Sequence, residues 1–314
     1  MKFGRIFSGW DSPEISAANL SVYLRTMFFL LVYPSFRRRR EKNFALFVKM
    51  KKNAANMKLT FMGTGTSQGV PVIGFDNSGL DLSNKKNWRM RSNVHVEAGG
   101  RRIQVDAGPE FRIQCLQNSI DWIDLFILTH GHADHIAGMD DLRRFCDKLP
   151  SNRLPVYSNE YGLERIRAMF PYALGDAPAQ RGYPCFKLAP MPEMLEIAPD
   201  CRVRSAPLPH GDIETLGLVF EEGEKKLAYF CDCKLLTREA VELARGADLL
   251  VLGALRLTPH PSHMSLEEAV KSADIIGAKT TYFTHMTSHI DYGVWEGRLP
   301  KGCHLAYDGL ALEV

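Results

Sequence analysis

From residue 57 onward, short apolar runs alternate with polar or glycine-bearing segments. Residues 125–128 and 248–252 read as buried strands, and 59–62, 226–230 and 280–283 as further strands. Residues 93–97 and 102–105 flank Gly99-Gly100, which predicts a hairpin. Further strands are expected at 194–197, 202–207 and 216–221. Helical patterns are expected at 109–117, 137–149, 160–170, 235–245 and 265–276. In the last of these Ser265 can cap the helix, with Glu268 completing a capping box. Residues 74–91 are polar and turn-rich, and 171–192, rich in proline and glycine, are predicted to loop over the surface. This order of elements predicts an α/β or α+β enzyme with no internal repeat.

Composition changes the picture at the N-terminus. Overall, 45% apolar and 24% charged residues are ordinary for a globular protein, and the net charge is +3. Residues 1–56, however, hold 11 Lys/Arg against 3 Asp/Glu, a net +8, whereas 57–314 hold 28 against 33, a net −5. The apolar piece Met27-Phe28-Phe29-Leu30-Leu31-Val32-Tyr33 is too short for a transmembrane segment, which needs about 20 residues. Arg37-Arg38-Arg39-Arg40 follows it rather than preceding it, unlike a secretory signal. Residues 1–56 are therefore expected to be a basic extension, disordered or upstream of the true start at Met57, and 57–314 the ordered domain. The seven cysteines are scattered and form no CxxC pair, so no disulfide framework is expected and a reducing cytoplasm is the default.

The chemistry concentrates in Thr129-His130-Gly131-His132-Ala133-Asp134-His135, directly after a strand-like run. Imidazole nitrogen and carboxylate oxygen suit zinc, manganese or iron. Four such groups on one loop crowd a single ion but can be shared by two. Two ions need more ligands, and His210, Asp232 and His285 each stand where an apolar strand turns polar. Asp106, also at a strand end, can orient a ligand histidine or cap the helix that follows. The loop Gly63-Thr64-Gly65-Thr66-Ser67-Gln68-Gly69-Val70-Pro71 lacks the GK[ST] of a P-loop. Its glycines permit positive φ and close approach to a ligand.

The HxHxDH run, the later lone histidine and aspartate, and Thr284-His285 after a strand together resemble the metallo-β-lactamase superfamily over residues 57–314. The glycine loop and the closing Tyr307-Asp308-Gly309 are similar to the PhnP-like phosphodiesterases of phosphonate metabolism, relatives of the tRNA 3′-processing nuclease RNase Z. The resemblance implies an α+β fold, a four-layer αββα sandwich with a dinuclear site at the sheet edges. It implies two divalent ions, Zn2+ or Mn2+, one held by His130, His132 and His210 and the other by Asp134, His135 and His285, with Asp232 bridging. It also implies hydrolysis of a small or cyclic phosphodiester by a water activated between the ions. Asp134 would help hold that water, and His263, with His260 as the alternative, would give the leaving group a proton. His289 is expected at the surface.

PhnP-like proteins carry a cysteine cluster for a structural zinc after the glycine loop. Gly74-Phe75-Asp76-Asn77-Ser78-Gly79-Leu80-Asp81-Leu82-Ser83 has no cysteine, so packing is expected to hold this segment instead. Three alternatives stay open: a tRNA 3′-processing-type nuclease, a thioester or lactone hydrolase on the same site, and a non-catalytic metal-binding module. The nuclease's long glycine- and proline-rich arm is not seen, and an acidic body suits a phosphate backbone poorly. The expected partner is a small-molecule phosphodiester, with nucleic acid second and a homodimer left open.

Overall fold

The computed structural model describes residues 57–175 and 182–314. The basic extension 1–56 lies outside them. β1 (Lys58–Gly63), β2 (Asn93–Ala98) and β3 (Arg101–Val105) form an antiparallel meander, followed by α1 (Phe111–Gln117). β4 (Leu125–Ile127) runs parallel to β3 and delivers the histidine loop, which ends in the single turn α2 (Ala133–Ile136). After α3 (Arg143–Cys146) come β5 (Leu154–Ser158), α4 (Glu160–Met169) and β6 (Phe186–Pro190). A second antiparallel set follows: β7 (Met194–Ala198), β8 (Cys201–His210), β9 (Ile213–Glu222) and β10 (Lys225–Phe230). Then α5 (Arg238–Ala244), β11 (Leu249–Gly253), α6 (Leu266–Ile276), β12 (Thr280–Thr284), α7 (Tyr292–Trp295) and β13 (Cys303–Leu305) extend that sheet in parallel. The last strand, β14 (Ala311–Glu313), returns to pair with β1. The result is two seven-stranded sheets, ordered β14-β1-β2-β3-β4-β5-β6 and β13-β12-β11-β10-β9-β8-β7.

Side-chain alternation explains the layering. In β10, Leu227 and Tyr229 enter the core between the sheets, while Ala228 and Phe230 face the helical side. β11 repeats this with Leu249 and Val251 inward, Leu250 and Leu252 outward. In the other sheet Ile127 points between the sheets, and Phe126 and Leu128 meet Phe111 of α1 and Ile166 of α4. Each buried side chain of this size contributes about 1.5–3 kcal/mol. Alanines 240, 244, 269 and 273 form the sheet-facing side of α5 and α6, small enough to bring these helices close. The architecture is the expected four-layer αββα sandwich. No helix of the described residues is long and apolar enough to cross a membrane.

Three departures have local causes. Residues 137–149 do not form one helix; a 3₁₀ turn (Met139–Leu142) precedes the one-turn α3. Ala107 N–H donates to His135 O (2.8 Å) and Gly138 N–H to Ala107 O (2.9 Å), so the end of β3 captures the backbone a helix would need. Within 171–192, expected to be surface loop, β6 pairs in parallel with β5 as an edge strand, where its terminal Pro190 is tolerated. Strand β5 carries Pro155, and β13 and β14 have three residues each, too few to show a period.

Candidate metal centre

The ends of several strands converge on one place. β3 stops before Asp106, β4 before Thr129-His130, β10 before Cys231-Asp232 and β12 before His285, while His210 is the last residue of β8. The turn of α2 brings Asp134 and His135 back to the same point. Asp106 and His285 take left-handed backbone, φ 61° and 59°. Such a conformation costs a non-glycine residue roughly 1–3 kcal/mol, and the surrounding fold must impose it. Met286 N–H, bonded to Thr64 O at 3.0 Å, locks the turn after β12.

The seven expected ligands come together in two groups. His130, His132 and His210 form one; Asp134, His135, Asp232 and His285 form the other, with potential ligand atoms within 4.8 Å of one another in each. Asp232 Oδ2 lies 3.5 Å from His135 Nε2, 3.8 Å from His210 Nε2 and 3.9 Å from His130 Nε2, so this carboxylate faces both groups. In three of the five histidines, His130, His135 and His210, the second ring nitrogen is anchored, whereas His285 Nδ1 is buried without a partner. His210 Nδ1 donates to Ser262 O (2.9 Å), and His130 Nδ1 meets Thr129 Oγ1 (3.1 Å). His135 Nδ1 donates to Asp106 Oδ2 (2.8 Å), and Asp106 also accepts Thr129 N–H (2.7 Å) and Thr129 Oγ1–H (2.8 Å). Asp106 therefore orients a histidine. The N-cap of α1 is Glu110, which makes no side-chain capping bond. Such anchoring fixes the tautomer and aims Nε2 inward.

These residues fit metal ions. His130 Nε2, His135 Nε2, His285 Nε2 and Asp232 Oδ1 are buried without a hydrogen-bond partner. Leaving such atoms bare costs about 1–3 kcal/mol each. Burial holds His130 well below the ordinary imidazole pKa, and burial and His210 lower His132. At His135 burial acts downward too, but Asp134, Asp232 and Asp106 outweigh it and raise the pKa well above normal. Burial pushes Asp134 and Asp232 up, yet the facing imidazoles hold both carboxylates below their usual range. Bare nitrogen lone pairs amid three carboxylates call for positive charge, and a nitrogen–oxygen donor set suits Zn2+ or Mn2+.

The family described as the beta-lactamase superfamily domain matches residues 101–286, from β3 to the turn beyond His285. The chain belongs to the β-lactamase superfamily. Among solved structures, a diphosphatase of the PhnP family is 34% identical with a TM-score of 0.73, covering 82% of this chain and 98% of that one. Zn2+-bound PqqB from Methylobacterium extorquens, 21% identical with a TM-score of 0.66 over 82% and 100% of the two chains, shares the fold. An octanoyltransferase of Porphyromonas gingivalis (strain ATCC BAA-308 / W83) is 32% identical over 258 residues, 81% of this chain and 51% of that protein. The chain thus spans about half the length of that relative. A ribonuclease Z of Mycobacterium sp. (strain KMS) is 27% identical over 255 residues, 70% of this chain and 88% of that protein.

In this metallo-β-lactamase fold a cleft of about 270 Å³ opens beside the ligand cluster. Thr66 and Ser67 of the glycine loop line it, with His260, His263, Phe75 and His289. A larger cavity of about 570 Å³ lies against α1 and α3 and includes none of the candidate ligands. His263 reaches the cluster: its Nδ1 is 3.9 Å from Asp232 Oδ2, and its ring stacks on His285 at 4.9 Å and 17°. His260 sits one ring further out, 5.2 Å from His263, with Nδ1 against Ser262. His289 is exposed as expected, but at the cleft, which its spacing from His285 did not reveal.

The cysteine-free segment is held by polar bonds more than by the expected packing. Asp291 Oδ2 accepts Asp81 N–H (2.9 Å) and Asn87 Nδ2–H (2.6 Å). Arg89, fully buried, donates to Thr287 O (3.0 Å) and Ile290 O (2.6 Å). The glycine loop answers to the same frame. A Cβ on Gly65 would stand 2.7 Å from Arg89 O, so this glycine admits the protein's own backbone rather than a ligand.

Proposed function

We propose that the chain is a dinuclear metal-dependent phosphodiesterase for a small diester, with residues 57–314 as its hydrolase domain and 1–56 preceding it. The observation that carries this is Asp232 Oδ2, within 3.9 Å of imidazole nitrogens from both ligand groups. His130, His132 and His210 would hold one ion and Asp134, His135 and His285 the other, with Asp232 between them. Two divalent ions, when bound, supply Lewis acidity and lower the pKa of a shared water. Asp106 and Thr129 keep the ligand rings aimed. Asp134, buried in the ligand cluster, would help hold the attacking water. His263 faces the leaving group. Burial pushes it down to about 3, against the pull of Asp232, so the free enzyme holds it neutral at pH 7. As the anionic diester enters the cleft this ring would take a proton from solvent, give it to the departing alkoxide and return to the neutral form.

The substrate class rests on two supports. The PhnP-family diphosphatase is similar over nearly its whole length. The cleft, about 270 Å³, falls near the lower end of the ~300–1,000 Å³ usual for small-ligand sites. A nuclease reading, favoured by the likeness to ribonuclease Z, must bring a polyanion to a body with 33 acidic against 28 basic residues. Acyl transfer, suggested by the octanoyltransferase, needs an acyl acceptor. The thiols beside the site, Cys231 and Cys233, are buried, and burial raises both pKa values.

The test is hydrolysis of bis(p-nitrophenyl) phosphate by the purified full chain, stripped of metal and reloaded with Mn2+ or Zn2+. Turnover restored by metal is expected. None with either ion, in folded protein that binds both, would turn the reading to thioesters and lactones. His263→Ala should lose about 10²–10⁴-fold in turnover and keep its metal; full activity would remove His263 from the mechanism.

A further inference from the structure

Phe75 stands at the outer end of the cleft, and none of the three apolar cores includes it. Its side chain is half exposed, at 52%. Its loop is nevertheless braced. The Asn77 side chain accepts Val72 N–H (3.0 Å) and donates to Val72 O (3.0 Å) and Phe75 O (2.9 Å). Ser78 N–H adds a bond to Asp76 Oδ1 at 2.9 Å. A rigid turn thus presents an apolar ring to solvent, an arrangement that folding does not require.

Across from Phe75 lies His289, its ring edge-on at 6.2 Å and 64°. His289 Nδ1 is engaged by Thr287 Oγ1 at 3.1 Å, which leaves Nε2 as the polar edge offered to the cleft. Val72 and Leu255 line the same cleft. The cleft therefore changes character along its length. It is polar at His263, beside the Asp232 carboxylate, and aromatic at Phe75 and His289.

We infer that the outer end of the cleft is a subsite for a planar ring carried by the phosphate ester. The ring lies against Phe75, and His289 Nε2 meets a polar atom on its edge. This rests on the phosphodiesterase reading and specifies the organic arm that the reading leaves unnamed. Phe75 is then a specificity residue, and its contribution falls on binding.

The experiment compares phenyl phosphate with methyl phosphate as inhibitors of bis(p-nitrophenyl) phosphate turnover by the metal-loaded full chain. Both present the same phosphate to the ions, so a difference reports the ring. Phenyl phosphate is expected to inhibit about tenfold more tightly, the usual size of one ring-on-ring contact. Phe75→Ala should bring the two inhibitors within about twofold while leaving the methyl phosphate constant unchanged, and Phe75→Tyr should restore the preference. Equal inhibition of the unaltered protein, or a preference that survives Phe75→Ala, overturns the subsite. The phosphodiesterase reading survives that result, because turnover is the readout. Folded, metal-loaded protein with no turnover overturns both.

Discussion

Two buried polar clusters lie next to each other in this fold and treat their polar atoms in opposite ways. Around Arg89 most of the bonds close, although its Nε is buried without a partner. Its guanidinium is spent on Thr287 O and Ile290 O, Asn87 on Asp291, and Asp308 on Thr64 Oγ1 and Met90 N–H, both at 2.7 Å. Around Asp232 they do not close. Three imidazole Nε2 atoms and a carboxylate oxygen are buried bare and converge. A protein pays for bare buried atoms where something else will fill them. The first cluster is scaffolding and the second is a receptacle, and the contrast predicts opposite responses to mutation.

The largest effect belongs to the receptacle. Asp232→Ala should release bound metal and lower turnover on the order of 10³-fold or more, read by metal analysis beside kinetics. A variant that kept two ions would end the bridging role. Next comes the scaffold. Arg89→Met leaves buried acceptors without their cation and is expected to cost about 3–5 kcal/mol in urea unfolding. Its folded fraction should still bind the same number of ions. If metal is lost while stability holds, the two clusters are not separate.

Asp308 sharpens the contrast through pH. Burial pushes its carboxyl up to about 7, against Met90 N–H, Thr64 and Arg89. A folded pKa above the unfolded 3.8 means the native state holds the proton more tightly. Its stability contribution is complete below pH 3.8 and is lost as pH rises through about 7. That loss has an upper bound of roughly 4 kcal/mol. Asp308→Asn mimics the neutral acid, with the amide turned toward Thr64. Unfolding free energies from pH 4 to 8 should fall more steeply for the natural protein than for this variant. Parallel curves would show that Asp308 does not titrate in this window.

The receptacle was far more legible in the sequence than the scaffold. His130 to His135 sit on one loop, and His210, Asp232 and His285 each follow an apolar strand, so local pattern locates them. Asp106 was ambiguous because an aspartate before a helix is equally an N-cap; only its contact with His135, 29 positions away, decides between the roles. That decision has a consequence. Asp106→Asn should weaken metal binding about 10–100-fold by loosening His135, whereas a capping residue would change stability and leave affinity alone. The scaffold is built from pairs such as Asn87 with Asp291 and Thr64 with Asp308, separated by 204 and 244 positions. No periodicity marks them. The cysteine-free segment therefore showed what it lacked but not what holds it, and β5 and β6 were hidden by their prolines.

The smallest effect tests whether the scaffold reaches the cleft. Asn77 touches no candidate ligand, yet its side chain makes three hydrogen bonds that shape the turn carrying Phe75. These bonds are partly exposed, so Asn77→Ala should cost only about 1 kcal/mol in global stability. Metal content and the turnover number should not move, because nothing at Asp232 changes. Ordering of the turn should. With Phe75 no longer fixed, part of the binding energy goes into immobilising the loop, and KM for a ring-bearing diester should rise severalfold at constant kcat. A rise in KM shared equally by substrates without a ring would mean that Asn77 shapes the cleft as a whole. A change in kcat would mean that the loop reaches the receptacle, and that the separation between the two clusters ends before residue 77.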